Sequence, residues 1–519
     1  MSELISSLIK HLCTLHGVTR IDTIETHISW VLLTGELVYK IKKPVDLGFV
    51  DFTTLEKRRH FCFEELRLNK RLAPELYVDV VTLTKHGGGV EVNGTGAVID
   101  YAVRLRQFDQ HHQLDVLISE HKLLFEHIDQ LANIIADFHQ AVERAPLDSN
   151  FGKPETAHGA VKENFRHCLQ LATDSNDIKR LQNLQQWGDR QYETLYGFLT
   201  ERKNNGYVRE CHGDLHLGNI ALYHDRVTPF DCIEFNPNFR WIDVISEVAF
   251  LVMDLISRGR QDLATRFLND YLTFTGDYSG LAGLRYYLVY RAMVRAKVEI
   301  IRASQTRDEQ AQQTTALAHF HHYIELADTF RTIQTPTLII THGMSGSGKT
   351  TIARELLKEI PAIHLRSDVE RKRLFQLKAT DKSSSAIDQG IYTKQASQKT
   401  YDTLLALTES LLSNHWSVIV DATFLKQQQR ASFQQLAGKL QAHFLILDCT
   451  ADPESLRQRV SSRSRQADAI SEANLDVLEK QLASYQPLNG AEQQQRIEVD
   501  TRQHPDIQEL ARVIMSRQD

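Results

Sequence analysis

This chain is poor in cysteine. It has only 6 cysteines, which are scattered and form no Cys-x-x-Cys motif. We therefore expect reduced thiols, and neither a disulfide framework nor a zinc site. Apolar runs are also short, and none approaches the length needed to cross a bilayer. Residues 1–14 mix polar and apolar side chains, which predicts a first helix and not a signal sequence. These absences predict a cytoplasmic protein with no membrane partner.

The chain also lacks an excess of positive charge, since 60 Lys and Arg residues stand against 66 Asp and Glu residues. The net charge of -6 argues against a dedicated nucleic-acid binder, although a local basic patch could still serve one. Internal repeats and low-complexity segments are absent too. A length of 519 residues then predicts about two to four globular domains.

The first part of the chain has strand patterns followed by helical ones. Residues 30–33 and 37–41 are apolar runs around a glycine-containing turn, which predicts a hairpin. A helix is expected over 55–72, ending before Pro74, and a strand pair over 78–83 and 96–105. From about residue 115, apolar residues recur at helical spacing. We predict a small β-rich lobe over about 20–108 and a helical lobe over about 109–334, within a domain of residues 1–334.

Thr335 and Pro336 end the last predicted helix and mark the predicted domain boundary. Short apolar strands are then expected at 337–341, 362–365, 417–420 and 443–447, with helices between them. Alternating strands and helices indicate a parallel sheet with helices on both faces. Residues 335–519 are therefore predicted to form an α/β domain.

A phosphate-binding loop follows the first of these strands and precedes a helix. The segment 343–350 reads Gly-Met-Ser-Gly-Ser-Gly-Lys-Thr, which matches G-x-x-x-x-G-K-T. In such a loop, backbone N–H groups surround the phosphates of ATP, the lysine reaches the β- and γ-phosphates, and the threonine hydroxyl binds Mg²⁺. The predicted ATP-binding residues are Gly343, Ser345, Gly346, Ser347, Gly348, Lys349, Thr350 and Thr351, with Lys349 also catalytic and Thr350 also a metal ligand.

Later residues favour a kinase over a simple ATPase. Asp368 follows the second strand and could accept a proton from a substrate hydroxyl, or it could merely cap a helix. Asp421 ends the third strand and is predicted to bind Mg²⁺ or to position water. Arg459 and Arg463 lie in an arginine-rich segment that could bind ATP and neutralise the charge of the transferring phosphoryl group, with Arg463 as a catalytic residue. A solvated helix face would show the same pattern.

Over about 336–519 the chain resembles the small P-loop kinases that include polynucleotide kinase, gluconate kinase, chloramphenicol phosphotransferase and zeta toxins. The motifs that carry the resemblance are GMSGSGKT, RSDVERKRL, VIVDATF and LRQRVSSRSR. In that group the aspartate of the second motif is the substrate-side base, which here is Asp368. The resemblance implies the reaction type, while its members differ widely in acceptor.

A second motif lies in the first domain, at His212-Gly213-Asp214-Leu215-His216-Leu217-Gly218-Asn219. An aspartate followed five residues later by asparagine is the spacing of a protein-kinase-like catalytic loop. Asp214 would orient and deprotonate an acceptor hydroxyl, and Asn219 would bind Mg²⁺. Asp231, twelve residues further on, is the second predicted metal ligand.

A lysine that grips the phosphates is expected on the strand of residues 37–41. Lys40 and Lys42 lie on the same strand face. We favour Lys40, because Lys42 runs directly into Lys43 and Pro44. Its partner carboxylate should lie on the following helix, where Glu65 is favoured and Glu64 is the alternative.

Residues 25–330 resemble the aminoglycoside phosphotransferase family, which shares the protein-kinase fold. The segment Asp243-Val-Ile-Ser-Glu247-Val-Ala supports this, with Glu247 in place of the family's second aspartate. Two features depart from the family. No glycine-rich loop precedes Lys40, and Asp231 is followed by Cys232 with no glycine after it. The expected fold is an α+β two-lobed protein-kinase-like domain followed by an α/β P-loop domain with a parallel sheet.

Three functional hypotheses remain open. The first is a bifunctional kinase in which each domain uses ATP and Mg²⁺ to phosphorylate a hydroxyl of a small molecule, such as a sugar, amino alcohol or nucleotide-like compound. In the second, only the P-loop domain is active and the first domain senses nucleotide or recruits substrate. In the third, the enzyme is a kinase of nucleic-acid ends or nucleotide sugars. The sequence leaves the acceptors, the choice of ATP over GTP, the coupling of the domains and the oligomeric state open.

Overall fold

The computed structural model describes residues 3–48, 50–305, 310–379, 381, 391, 393–463 and 474–517. Contacts divide the chain into two compact units. The first consists of Met1–Arg258 and Tyr286–Ala327, and the second of Gly259–Arg285 and Asp328–Asp519. The boundary near residue 335 stays a prediction, but Gly259–Arg285 is grouped with the later part of the chain.

The first unit opens with helix α1 (Glu3–His16) and a six-stranded sheet. The strands are β1 (Asp22–Glu25), β2 (Ser29–Leu33), β3 (Leu37–Lys42), β4 (Tyr77–His86), β5 (Gly89–Val92) and β6 (Val98–Arg106). Neighbouring strands are antiparallel in the order β1-β2-β3-β6-β4-β5. The predicted first helix, hairpin and strand pair are confirmed, and β1 and β5 extend the sheet at its two edges.

Side chains of β3 alternate between the two faces of this sheet, as the period of a strand requires. Tyr39 and Ile41 are buried in an apolar cluster with residues of α1. Lys40 and Lys42 lie on the other face, where both contact the helix α2 (Leu55–Asn69). The alternation thus brings two lysines to a single helix.

Helices dominate the residues that follow the sheet. They are α3 (Leu114–Ser119), α4 (Phe125–Ala141), α5 (Pro154–Leu171), α6 (Ser175–Asn204), α7 (Pro237–Arg240), α8 (Val244–Ser257), α9 (Gln261–Thr275), α10 (Leu281–Gln305) and α11 (Gln310–Arg331). Short 3-10 turns occur at Gln110–His112, Leu217–Asn219 and Tyr278–Gly280. Helix α9 belongs to the second unit.

Two small antiparallel strand pairs lie among these helices. Strand β7 (Val208–Glu210) pairs with β10 (Trp241–Asp243), and β8 (Ile220–Tyr223) pairs with β9 (Arg226–Pro229). The β8–β9 hairpin connects the 212–219 motif to Asp231, so it returns the chain to the same region.

The second unit contains a five-stranded parallel sheet, which confirms the predicted arrangement. Its strands are β11 (Thr337–His342), β12 (Ile363–Arg366), β13 (Val418–Asp421), β14 (His443–Thr450) and β15 (Arg496–Asp500). All neighbours are parallel in the order β12-β13-β11-β14-β15. Strand β15 has no counterpart among the predicted strands, because its buried residues alternate with exposed charged ones at the sheet edge.

Helices cover this sheet and position the residues at its carboxyl edge. They are α12 (Lys349–Leu356), α13 (Ser367–Leu374), α14 (Lys394–Ser413), α15 (Gln427–Lys439), α16 (Pro453–Arg463), α17 (Leu475–Ser484), α18 (Gly490–Gln494) and α19 (Ile507–Ser516). All six residues of the central β11 are buried, so both faces of the sheet are covered. Ile339, Leu356 and Ile514 belong to one apolar cluster that joins β11, α12 and α19.

Across the described part of the chain, none of the helices combines the length and the apolar character that a membrane crossing requires.

Candidate active sites

The phosphate-binding loop leaves the central strand β11 and ends at the first residue of α12. Gly343 and Gly348 have φ values of 136° and 82°, a region that favours glycine. A Cβ on Gly343 would lie 2.5 Å from the backbone oxygen of Cys449 and 2.6 Å from Oγ of Ser347, which requires a glycine there. These glycines let the chain turn tightly from β11 into the start of α12, and the amino-terminal end of a helix favours an anion.

Lys349 folds back over the loop and is buried. Its Nζ donates a hydrogen bond to the backbone oxygen of Met344 at 2.7 Å and lies 3.4 Å from Oγ of Ser347. The ammonium group therefore lies against the loop that would surround the phosphates.

Thr350 and Asp421 meet at the carboxyl edge of the sheet. The Thr350 hydroxyl donates to Oδ2 of Asp421 at 2.6 Å, and the ring of His364 lies 3.5 Å from the same oxygen. Burial alone would raise the pKa of Asp421, but His364 and the charge of Arg366 lower it to about 2. A hydroxyl beside an ionised carboxylate supplies the oxygen ligands that Mg²⁺ prefers, so the two predicted metal ligands fit that ion.

A cavity of about 840 Å³ lies beside these residues. It is lined by the predicted residues Ser345, Gly346, Gly348, Lys349, Thr350, Thr351, Asp368, Asp421 and Arg459. Asp368 lies in the first turn of α13, which begins at Ser367 with Arg366 as its N-cap residue, so it does not act as the helix cap. The cavity thus brings the predicted base to the same space as the phosphate-binding loop.

The arginine-rich segment lies on α16. Arg459 donates to the backbone oxygen of Thr501 at 2.6 Å and to its hydroxyl at 3.0 Å, at the β15 side of the cavity. Arg457 pairs with exposed Glu479 at 2.7 Å and resembles a solvated surface residue. Arg463 is the last residue of α16, and its side chain lies outside the described residues. Its predicted role stays a prediction.

Other cavity residues were beyond the reach of the sequence pattern. Gln481 of α17 accepts a hydrogen bond from the backbone N–H of Ser345 at 2.8 Å. Thr501 and Arg502 line the cavity from the end of β15. They follow β15, which the sequence pattern does not predict, so the sheet order is what places them at the cavity.

The first unit holds a second cluster of predicted residues. Asn219 donates from Nδ2 to Oδ2 and to the backbone oxygen of Asp214, each at 3.0 Å. Desolvation alone would raise the pKa of Asp214, but His216, 3.4 Å away, and the charge of Arg295 hold it well below its ordinary value. Asp214 is therefore an ionised acceptor at neutral pH.

Lys40 connects this cluster to the sheet. Its Nζ lies 2.5 Å from Oδ1 of Asp231 and 2.9 Å from Oε1 of Glu65. The structure therefore brings together the lysine, the helix carboxylate and one of the two metal ligands that the sequence predicts. Glu64 points elsewhere and pairs with Arg67 and Arg240, each at 2.7 Å.

Lys42 shares Glu65 with Lys40. Its buried Nζ lies 2.7 Å from Oε2 of Glu65 and also bonds Glu234. Although burial favours the neutral acid, the two ammonium groups hold the pKa of Glu65 below its ordinary value. Glu234 was not singled out by the sequence, and the only signal is its position three residues after Asp231.

Glu247 supports the loop that carries Asp214. Its Oε1 accepts from the backbone N–H of Gly213 at 2.7 Å, and its Oε2 lies 2.8 Å from Nε2 of His139. Arg291 donates to the backbone oxygen of Gly213 at 3.2 Å. Glu247 is therefore a buried anchor of the loop.

Glu247→Asp is expected to lower the free energy of unfolding by about 1–3 kcal/mol, because the shorter side chain cannot reach both buried partners. Denaturant unfolding of the whole protein measures this. Glu193→Asp, on the exposed face of α6, is the control. It measures how much unfolding free energy is lost when a helical glutamate with no buried partner is replaced by aspartate. Equal losses in the two variants would show that Glu247 does not anchor the loop.

Residues 338–488, which include the phosphate-binding loop and Asp421, match the model of a family described as an AAA domain. An uncharacterized protein of Mycobacterium tuberculosis is 29% identical over 463 residues, covering 87% of this chain and 89% of the relative, and one of Mycobacterium bovis gives the same values. Among solved structures, a gluconokinase from Sinorhizobium meliloti 1021 is 17% identical with a TM-score of 0.24, covering 36% of this chain and 93% of its own. The Mycobacterium tuberculosis APS kinase, in complex with AMPPNP and APS, is 19% identical with a TM-score of 0.26. The match covers 35% of this chain and 97% of the kinase chain.

Proposed function

We propose that the second unit is an ATP- and Mg²⁺-dependent phosphotransferase that moves the γ-phosphoryl group to a hydroxyl of a small molecule. The observation that carries this is the contact of Thr350 with Asp421 at 2.6 Å, beside a cavity that Asp368 also lines. The second carboxylate supplies a base for the hydroxyl of an acceptor in the same cavity. The cavity also exceeds what one bound water requires, so it has space for an acceptor.

In this reaction Lys349 and the start of α12 would hold the β- and γ-phosphates, and Thr350 and Asp421 would hold Mg²⁺, which would neutralise phosphate charge. The oxygen of the acceptor hydroxyl forms a bond to the γ-phosphorus, and Asp368 accepts the proton of that hydroxyl. The bond between the γ-phosphorus and the oxygen of the β-phosphate breaks, and ADP leaves. Arg459 lies on the opposite side of the cavity, where a cation stabilises charge on the transferred group. Most of the catalysis then comes from positioning and charge.

We further propose that the first unit is a second phosphotransferase site with a protein-kinase-like arrangement. Lys40, held by Glu65, would grip the phosphates, while Asn219 and Asp231 would hold Mg²⁺. Asp214 would accept the proton of the acceptor hydroxyl. Support comes from the convergence of Lys40, Glu65 and Asp231, residues far apart in sequence, and from the ionised state of Asp214.

One observation favours the alternative in which only the second unit is active. The connection between β1 and β2 is a tight turn at Thr26, whose hydroxyl accepts from the backbone N–H of Ser29 at 2.9 Å. It contains no glycine that would let a loop close over phosphates. In this alternative the first unit binds nucleotide or recruits substrate without turnover.

A screen of small alcohols, sugars and nucleotides with ATP and Mg²⁺ tests the proposal. We expect at least one compound to gain the mass of one phosphoryl group, with the gain lost when Mg²⁺ is removed by a chelator. A protein that hydrolyses ATP at the same rate with every compound and phosphorylates none would contradict a phosphotransferase.

A further inference from the structure

Gly259–Arg285 contacts the strand and the helix that lead to and carry Asp368, although it precedes the predicted domain boundary. The segment contains α9, the 3-10 turn Tyr278–Gly280 and the first residues of α10. It belongs to the same compact unit as the parallel sheet. Three separate sets of contacts join it to that sheet and its helices.

The first contact pairs α9 with the edge strand β12. The side chain of Asn269 is buried, donates to the backbone oxygen of Ala362 at 2.9 Å and accepts from the N–H of His364 at 2.7 Å. A neighbouring strand would make the same two kinds of bond. Asn269 therefore fixes the strand that leads directly to Asp368.

The second contact holds helix α13. The Tyr278 hydroxyl donates to Oε1 of buried Glu370 at 3.1 Å. Arg373 pairs with Glu370 and donates to the backbone oxygen of Thr273 at 2.7 Å, where a cation suits the carboxyl end of α9. Both α13 residues follow Asp368 on one short helix, so these bonds set the position of that helix.

The Arg373 contact also requires a glycine. Gly276 ends α9 with a φ of 72°, and a Cβ there would lie 2.7 Å from Nε of Arg373. The third contact lies before β13, where the indole N–H of Trp416 donates to the backbone oxygen of Leu281 at 3.0 Å. The guanidinium of Arg285 lies 4.3 Å from the Trp416 ring centre.

We propose that Gly259–Arg285 is a positioning element of the P-loop site, with Tyr278 as a positioning residue that acts on Asp368 through Glu370. The inference rests on the proposed function, because it assigns Asp368 to the acceptor. The first two contacts reach β12 and α13, which lead to and carry Asp368, while the phosphate-binding loop follows β11. A misplacement of about 1 Å between a base and its substrate can cost about 100-fold in rate. The segment thereby controls transfer to the acceptor and leaves ATP binding to the loop.

Tyr278→Phe tests this, because it removes one hydroxyl and keeps the ring. We expect kcat to fall about tenfold and KM for the acceptor to rise, with the affinity for ATP unchanged. Amide hydrogen exchange of the whole protein should become faster in α13 and stay unchanged in α12. Ser279→Ala, in the same turn, is the control and should match the wild type in every measurement.

The outcomes separate the inference from the proposed function. Wild-type kinetics and unchanged exchange in α13 would overturn the positioning role. Weaker ATP binding together with faster exchange in both α12 and α13 would also overturn it, because that pattern reports general destabilisation. If Tyr278→Phe loosens α13 alone but the wild type phosphorylates nothing, the positioning element stands and the phosphotransferase assignment fails.

Discussion

Lys349→Ala is expected to lower phosphoryl transfer by the second unit about 10³-fold. The ammonium group lies 2.7 Å from the backbone oxygen of Met344, within the loop that would surround the phosphates. Its charge is needed most when negative charge moves from the γ-phosphoryl group to the β-phosphate oxygen. We therefore expect both a lower kcat and a weaker affinity for ATP. Initial rates at several ATP concentrations would measure kcat and the KM for ATP.

Lys358→Ala is the matched control for this prediction. Lys358 follows α12 and pairs with Glu355 on the protein surface at 2.6 Å. Removing it takes the same charge from the same neighbourhood without touching the loop. Equal activity of the Lys349→Ala and Lys358→Ala variants would show that Lys349 does not bind the phosphates. Both variants must first be shown to unfold at the same denaturant concentration as the wild type.

Asp214→Asn is expected to lower transfer to the acceptor of the first unit by about 10²- to 10⁴-fold. An amide of the same shape keeps the size of the side chain but cannot accept the proton of a hydroxyl. Acceptors that depend on Lys349 should keep their wild-type rates, because the base proposed for the second unit is Asp368. Rates for each acceptor found in the screen would measure both effects.

Asp225→Asn is the control for that change. Asp225 lies in the exposed turn between β8 and β9, with a φ of 59° that asparagine tolerates. If Asp214→Asn leaves every acceptor phosphorylated at the rate of the Asp225→Asn enzyme, the first unit has no phosphotransferase site of its own. The alternative of a nucleotide-binding or recruiting module would then hold.

The P-loop site could be predicted largely because its parts are local in sequence. Strand β11, the glycine-containing loop and α12 follow one another directly, so one continuous motif specifies the geometry. Asp421 ends the next apolar strand along the sheet, and parallel strands bring their carboxyl ends together. That order places the two predicted metal ligands, Thr350 and Asp421, at the same edge of the sheet.

The strand pattern alone does not separate Lys40 from Lys42, because both lie on one strand face, and the preference for Lys40 rests only on the Lys43 and Pro44 that follow Lys42. The structure shows why either would satisfy the pattern: Glu65 lies between them and bonds both. Only Lys40 also reaches Asp231, which depends on where the β8–β9 hairpin returns the chain. That information is not contained in the pattern of β3.

The place of Gly259–Arg285 in the second unit could not be predicted either. Its helical pattern resembles that of the preceding helices, and nothing local shows that Asn269 pairs with a strand about 90 residues later. Recognising that pairing requires the knowledge that β12 is an edge strand, which follows only from the full strand order. Contacts of this kind depend on tertiary structure and leave little local signal.

The central proposal is that the chain carries two separate ATP sites, and the binding stoichiometry of a non-hydrolysable ATP analogue with Mg²⁺ tests it most directly. Titration calorimetry of the wild type should give two analogue molecules per chain. Lys349→Ala and Lys40→Ala should each leave one, and the double variant should bind none. A wild-type stoichiometry of one, lost completely in Lys349→Ala and unchanged in Lys40→Ala, would contradict the account.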